Sequence, residues 1–213
     1  WQLLYRYTGN ERVKENMKFL CDYYLSHGLS PATAMWPNIP FPYNTLVYSG
    51  HYDGDMVIGK AYTQPDKAGS FGIELINVYK MTSHERYPNA TEKRYLEAAI
   101  QIANTLAKQL KAGDENNSPL PFKVNAFTGK IGILKSNSGD RTDAGLSNYT
   151  TNWSGTAQLF LELIKLNQGD VAGYKHGLTT IISWMKQYPM KSNKWGPFFE
   201  DIPGWSDTQI NAM

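Results

Sequence analysis

Apolar residues recur every three or four positions along five stretches of the chain, which is the spacing of one face of an α-helix. In the first stretch, Val13, Met17, Leu20 and Tyr24 form the apolar stripe, and Gly28 follows as a stop signal. The five stretches span residues 11–27, 67–81, 91–111, 152–166 and 170–187. The pattern predicts an all-α protein.

The predicted helices form repeated antiparallel hairpins. Similar phrases end the first helix of each hairpin, at residues 4–9, 78–83 and 163–168. Repeats at intervals of roughly 70–85 residues are wider than solenoid units of about 20–50 residues, and they suit large α-hairpins arranged around an axis. A further helix is predicted from residue 205, because Trp-Ser-Asp-Thr at 205–208 resembles Trp-Ser-Gly-Thr at 153–156.

Small and polar residues indicate how these helices begin. Thr91 is expected to cap the helix that follows it, and Ser154 and Ser206 are expected to cap theirs. Gly69 and Gly72 lie in the first turns of the helix predicted at 67–81. Because glycine has no side chain, these positions permit close approach of another helix.

The connections between helices alternate between short and long. The short ones are 8–10, 82–91 and 167–170, and the long ones are 28–66, 112–151 and 188–204. In an up-and-down arrangement all long connections emerge at the same end. Loops of this length are usually functional or disordered, and their aromatic content argues against disorder. This end is therefore the predicted working face, and residues 123–127 and 131–134 could form a β-hairpin on it.

Composition excludes several classes of function. The 213-residue chain has a net charge of +2 and no cluster of basic residues, which argues against nucleic-acid binding. It has no run of about 18 apolar residues, so no membrane span is predicted. Cys21 lies in a helical stripe and is predicted to be a small buried hydrophobe rather than a nucleophile. Because the chain starts at Trp1, a leader could have been removed, and we expect a periplasmic or extracellular location.

The first long connection contains the best candidate carboxylate pair, Asp53 and Asp55. Two carboxylates in different environments can divide acid and base roles, and glycoside hydrolysis uses such a pair. We therefore predict catalytic roles for Asp53 and Asp55, with His51 and Tyr52 beside the substrate. An Asp-Gly-Asp turn with two solvated side chains is the alternative.

Aromatic residues make up 13% of the chain, and many lie in the long connections. Aromatic rings on a rigid scaffold often hold the faces of sugars. Arg141 could bind a sugar carboxylate bidentately, which would suit a substrate containing uronic acid, or it could be a paired surface arginine. Trp153 either stacks on a ligand or wedges two helices apart. The predicted substrate contacts on these connections are Trp36, Arg141, Trp153, Trp195, Glu200 and Trp205.

The sequence contains no motif typical of other reaction classes. The chain lacks a Gly-x-Ser-x-Gly elbow, a phosphate loop, a dinucleotide fingerprint and a His-Glu-x-x-His helix, so no cofactor and no metal are predicted. A polysaccharide lyase is one alternative, with His51 or a loop tyrosine as base and Arg141 or an asparagine as the neutralising group. A toroid that binds glycans or proteins without catalysis is another.

Residues 78–87 (VYKMTSHERY) and 92–106 (EKRYLEAAIQIANTL) resemble the inner-then-outer helix pair of the six-hairpin glycosidase-like superfamily. That resemblance implies an (α/α)6-type toroid and a glycoside hydrolase acting on oligosaccharides or polysaccharides. Helices at both chain ends look incomplete, so we expect part of a larger ring. Apolar Leu3, Leu4, Tyr7, Ile210 and Met213 would then be exposed, and the open ends could associate.

Overall fold

The computed structural model describes residues 1–41, 61–82, 90–115, 117–121, 124–131 and 153–192. These residues are mainly helical, which confirms the coarse prediction. The strands β1 (Tyr62–Thr63) and β2 (Val124–Asn125) form a small antiparallel sheet. The helices are α1 (Gln2–Thr8), α2 (Glu11–His27), α3 (Pro65–Thr82), α4 (Ala90–Gln109), α5 (Ser154–Leu166), α6 (Val171–Gln187) and α7 (Pro189–Ser192).

Helix limits follow the sequence periodicity closely. α2 occupies the predicted residues, and the side chain of Asn10 caps it by accepting a hydrogen bond from Arg12 N at 3.0 Å. α3 begins at Pro65, two residues before the predicted start. Proline suits a first helical turn because its φ is fixed and no N–H is needed there. Asp170 caps α6 by accepting from Gly173 N at 2.9 Å.

Two predicted caps are wrong. Thr91 is the second residue of α4, so it lies inside the first turn rather than before it. Ser154 is the first residue of α5, and the capping position belongs to Trp153, which makes no side-chain capping bond. Trp153 is buried, with its ring packed against Trp184. Ser206 lies outside the described residues.

Helices α1 and α5 end in the same way. Gly9 and Asn167 follow them in left-handed conformations, with φ of 62° and 52°. The Gly9 N–H donates to Tyr5 O at 2.7 Å, and the Asn167 N–H donates to Ile164 O at 3.1 Å. This geometry aligns Gly9 with Asn167, whereas the sequence match placed Gly9 opposite Gln168. The sequence match of these two helix ends is therefore one position away from the alignment of their caps.

Helices α3 and α5 run parallel in close contact. Gly69 lies against Thr156, and a Cβ at Gly69 would lie 2.5 Å from the Thr156 backbone nitrogen. One turn later, Gly72 packs against the side chain of Leu159. From Gly69 to Gly72 along α3, the contacting residue on α5 moves from Thr156 to Leu159, so the two helices run parallel. The predicted close approach at Gly69 and Gly72 is confirmed.

Helix α4 packs against α3, α5 and α6, and a side-chain hydrogen bond connects it to α2. The Tyr95 hydroxyl of α4 donates to Asp22 Oδ1 of α2 at 2.6 Å. The Tyr174 hydroxyl of α6 donates to Asn104 Oδ1 of α4 at 2.5 Å. Helices α3 and α5 thus lie side by side, and α4 contacts both of them. The core lies between them and includes the fully buried Leu75, Ile76, Ile102, Leu106, Phe160 and Trp184.

The small sheet contains a strand pairing that the sequence did not predict. β2 pairs with β1, with Tyr62 opposite Asn125 and Thr63 opposite Val124. Within the predicted hairpin, Val124 makes a single antiparallel bridge to Ile131. Residues 132–134 lie outside the described residues. Among the described residues, β2 therefore pairs with the segment that leads into α3 and, at one position, with the predicted hairpin partner.

The exposed apolar residues predicted at the N-terminal end are observed. Leu3, Leu4 and Tyr7 of α1 are all exposed. Ile210 and Met213 lie outside the described residues, and association through these ends stays a prediction. Among the described helices, none combines the length and apolar character needed to cross a membrane.

Candidate functional site

The described parts of the first two long connections lie against each other at one end of the helices. The backbone N–H of Trp36 donates to Ala126 O at 2.9 Å, which joins the two connections directly. Gln109, the last residue of α4, donates from Nε2 to Met35 O at 2.8 Å. These bonds hold residues 35–36 against the loop that follows α4.

A cleft of about 610 Å³ opens between these two connections. Its volume lies in the range of roughly 300–1,000 Å³ that is usual for small-molecule sites. Its lining includes the apolar Met35, Trp36, Pro119, Pro121, Val124 and Ile131, and the polar Gln109, Lys111, Asp114, Asn117, Ser118 and Thr128. The cleft is thus partly apolar, with polar groups from three short segments.

The wall formed by residues 110–121 is anchored on α6. Trp184 Nε1 of α6 donates to Asp114 O at 2.9 Å. Gly113 has φ of 73°, and a Cβ on it would lie 2.6 Å from Trp184 Cδ1. Glycine suits position 113 for two reasons: its backbone is left-handed, and the indole of Trp184 leaves no room for a side chain. The backbone bond from Lys111 N to Pro119 O at 3.0 Å closes the loop.

The opposite wall is built from Met35 and Trp36. Trp36 is only 4% exposed, and its carbonyl accepts a 2.6 Å hydrogen bond from Ser30 Oγ. It therefore forms the floor of the cleft, not an open platform for stacking. Met35 is 56% exposed, and its sulfur packs on Gly129, where a Cβ would collide with it. The thioether supplies an apolar edge at the mouth of the cleft.

Two side-chain amides in the lining turn their N–H groups towards the protein. Asn117 Nδ2 donates to both carboxylate oxygens of Asp114, at 3.0 Å each. The Gln109 amide nitrogen likewise donates to a protein atom, the carbonyl oxygen of Met35. The Gln109 nitrogen therefore joins the two walls, whereas the Asn117 nitrogen bonds within its own wall. Each amide keeps its oxygen as an acceptor, and Gln109 also keeps a second N–H as a donor.

The structure describes two of the predicted site residues. Trp36 lines the cleft, as described above. Trp153 is 4% exposed and packs edge-on against Trp184, with ring centroids 6.3 Å apart. This is the helix-wedge alternative for Trp153, and the ring has little surface left for stacking on a ligand. The predicted residues outside the described part of the chain are His51, Tyr52, Asp53, Asp55, Arg141, Trp195, Glu200 and Trp205.

Sequence reasoning missed the polar residues of the cleft, Gln109, Asp114 and Asn117. The signal was present, because turn-forming residues and prolines are concentrated at 112–121 in the second long connection. It also missed Asp66, which is 2% exposed in the first turn of α3, with a carboxylate oxygen 3.8 Å from Lys67 Nζ. A negative charge is favourable at this helix end because of the helix dipole.

Buried titratable groups of the described core do not belong to the cleft. Burial raises the pKa of the Cys21 thiol to about 11, and the residue is 7% exposed. Its prediction as a small buried hydrophobe is confirmed. Burial also raises the pKa of Tyr95, whose hydroxyl is bonded to Asp22. These groups stabilise the helix packing and are protonated at neutral pH.

Over the described residues, no group of three or more His, Cys, Asp or Glu side chains is arranged to hold a metal ion. Comparison of the chain with known proteins gave no match to a family model, to a curated protein or to a solved structure.

Proposed function

We propose that the protein is a carbohydrate-active enzyme of the glycoside hydrolase type that acts on oligosaccharides at the end where the long connections meet. The observation that carries the proposal is the cleft between residues 35–36 and 109–131. A sugar ring has an apolar C–H face and a rim of hydroxyl groups. The cleft offers both kinds of partner, since apolar side chains alternate there with amide, hydroxyl and charged groups.

In this proposal Asp53 and Asp55 supply the acid and base chemistry. The support is the position of the described residues on either side of their segment. Pro40 precedes it and Thr63 follows it, and the Thr63 hydroxyl donates to Pro40 O at 2.8 Å. The connection that contains the two aspartates therefore leaves and returns at the end of the helices that has the cleft. Ile131, which lines the cleft, precedes the segment that contains Arg141.

The helix arrangement supports a ring of α-hairpins as the scaffold. α3 and α5 are parallel neighbours, and α4, which lies between them in sequence, packs against both. Repetition of this unit around an axis would produce an (α/α) toroid, with each long connection at the same end. The resemblance to six-hairpin glycosidases adds the expectation of hydrolysis.

The test of catalysis uses the substitutions Asp53→Asn and Asp55→Asn. Labelled oligosaccharides are incubated with each protein, and shortened products are measured by mass spectrometry. Loss of an acid or base group should lower turnover by about 10²–10⁴-fold. Glu97→Gln, at an exposed position of α4, is the control with the same charge change. Wild-type turnover in both aspartate variants would remove these residues from the mechanism.

The cleft also favours a second candidate, a domain that binds glycans without cleaving them. The described lining groups already offer apolar and polar contacts, and binding through them needs neither Asp53 nor Asp55. Retention of an unmodified glycan, with no product, would support this candidate over hydrolysis. A product with a new unsaturated bond, seen by its ultraviolet absorbance, would instead identify a polysaccharide lyase.

A further inference from the structure

Two methionines stand out among the described residues because their side chains are open to solvent. Met35 is 56% exposed and Met190 is 55% exposed, whereas Met17 is only 6% exposed in the core. Met81 and Met185 are half-buried. Because oxidation requires access of the oxidant to the thioether sulfur, Met35 and Met190 are the described methionines that a peroxide should reach first.

Of these two residues, Met35 belongs to the described lining of the cleft. Its sulfur packs on Gly129 at the mouth, where a Cβ would collide with it. Its backbone is fixed on both sides, since Gln109 Nε2 donates to Met35 O at 2.8 Å and Trp36 N donates to Ala126 O at 2.9 Å. The side chain is therefore the part of residue 35 that can change while the wall of the cleft stays in place.

We propose that Met35 is an oxidation-sensitive ligand contact, and that conversion of its thioether to a sulfoxide weakens sugar binding in the cleft. The identification of the ligand as a sugar rests on the proposed function. A lone pair on the sulfur attacks one oxygen of hydrogen peroxide, so that a sulfur–oxygen bond forms and the oxygen–oxygen bond breaks. The hydrogen of the attacked oxygen passes to the leaving hydroxide, which becomes water. The sulfur is oxidised and the peroxide is reduced.

The thioether and the sulfoxide present different surfaces to a sugar. As a thioether, Met35 belongs to the apolar lining together with Pro119, Val124 and Ile131, and the C–H face of a sugar ring can pack on such a lining. A sulfoxide oxygen is polar, and burial against C–H groups would remove its water without replacing the hydrogen bonds. Because the sulfur already fills the space over Gly129, the new oxygen must project away from that residue or the side chain must leave it. In both cases the apolar contact with the sugar is weakened.

Other peroxide-reactive side chains can be separated from Met35. Cys21 is 7% exposed and burial raises its pKa to about 11, so its thiol is shielded and protonated. Met190 belongs to α7 and is not among the described residues that line the cleft, so its sulfoxide should leave sugar binding unchanged. It is a matched control because its exposure equals that of Met35. Met56 and Met213 lie outside the described residues.

The experiment measures sugar affinity before and after mild oxidation. A panel of neutral and uronate-containing oligosaccharides is titrated into the protein by calorimetry, and the tightest binder becomes the probe. The protein is then treated with hydrogen peroxide until peptide mass spectrometry shows that Met35 is the sulfoxide. Affinity for the probe should fall by about ten-fold, because burial of an unsatisfied acceptor has a cost of that order. Bound probe should slow the oxidation of Met35 and leave that of Met190 unchanged.

The substitutions Met35→Leu and Met190→Leu assign the effect to one sulfur. Leucine is close to methionine in volume, so each untreated variant should keep most of the wild-type affinity. Peroxide should no longer change the affinity of Met35→Leu, whereas Met190→Leu should lose about ten-fold, as the wild type does. Methionine sulfoxide reductase should restore binding by the oxidised wild type. Thermal unfolding should not change on oxidation, because the backbone bonds of residues 35 and 36 do not involve the sulfur.

The outcomes separate this inference from the proposed hydrolysis. Sugar binding that peroxide weakens through Met35, without cleavage, supports the inference and rejects hydrolysis. Cleavage together with binding that peroxide leaves unchanged supports hydrolysis and overturns the inference. Equal peroxide sensitivity of Met35→Leu and wild type would place the effect at another residue and would also overturn the inference. Failure of every oligosaccharide to bind overturns both.

Discussion

The close contact between α3 and α5 predicts how much the added methyl group of Gly69→Ala will lower the free energy of unfolding. A Cβ at this position would lie 2.5 Å from both the backbone nitrogen and the Oγ1 of Thr156. Backbone atoms at the start of α5 cannot rotate away, so relief requires the two helices to separate. Their separation would also disturb the buried residues between them, including Leu159.

The magnitude follows from two opposing effects. Overpacking of a close-packed contact costs about 1–3 kcal/mol, and a collision with backbone belongs at the upper end. Alanine is favoured over glycine in a helix by about 1 kcal/mol. The net loss in the free energy of unfolding for Gly69→Ala should therefore be about 2 kcal/mol. For a chain of this size, that corresponds to a fall in Tm of about 4–8 °C.

Gly72→Ala is the matched control on the same helix. Its Cβ would lie 2.6 Å from Leu159 Cδ2, which is the end of a flexible side chain. The gain in helix propensity is the same, and the leucine can change its rotamer, so stability should change by less than about 1 kcal/mol. Urea unfolding followed by circular dichroism measures both variants. Equal stability of Gly69→Ala and wild type would refute the tight backbone contact.

Two further predictions concern titratable groups. Cys21, with its pKa raised to about 11 by burial, should resist thiol reagents at pH 8 in the folded protein and react only when urea is added; rapid labelling without urea would contradict its burial. Hydrogen bonds from Lys165 and Lys80 lower the pKa of Glu162 below its usual 4.5. The Glu162 carboxylate therefore stabilises the fold fully above pH 4.5, and this stabilisation is lost as pH falls through the folded-state pKa. Urea unfolding should show Glu162→Gln less stable than wild type at pH 7, with a difference that shrinks at pH 3; a constant difference would argue against the ion pairs.

Local sequence signals determined most of the helical structure. The sequence of α2 indicated both of its ends, because the amphipathic stripe and the Gly28 stop lie within one segment. The glycines of α3 indicated a close helix contact correctly. Alternation of short and long connections pointed to the end of the molecule where the cleft lies. These features depend on residues near one another in the chain.

The shape of the cleft and the contacts of its residues could be seen only in the tertiary structure. Asp114 is fixed by Trp184, 70 positions away, and Met35 is fixed by Gln109, 74 positions away. No local pattern encodes such pairs, because they depend on how whole helices pack. Likewise, the sequence showed that Trp153 begins a helix but left stacking and wedging open. The ring is buried because the packing of α5 against α6 encloses it, and that enclosure is a property of the assembled core.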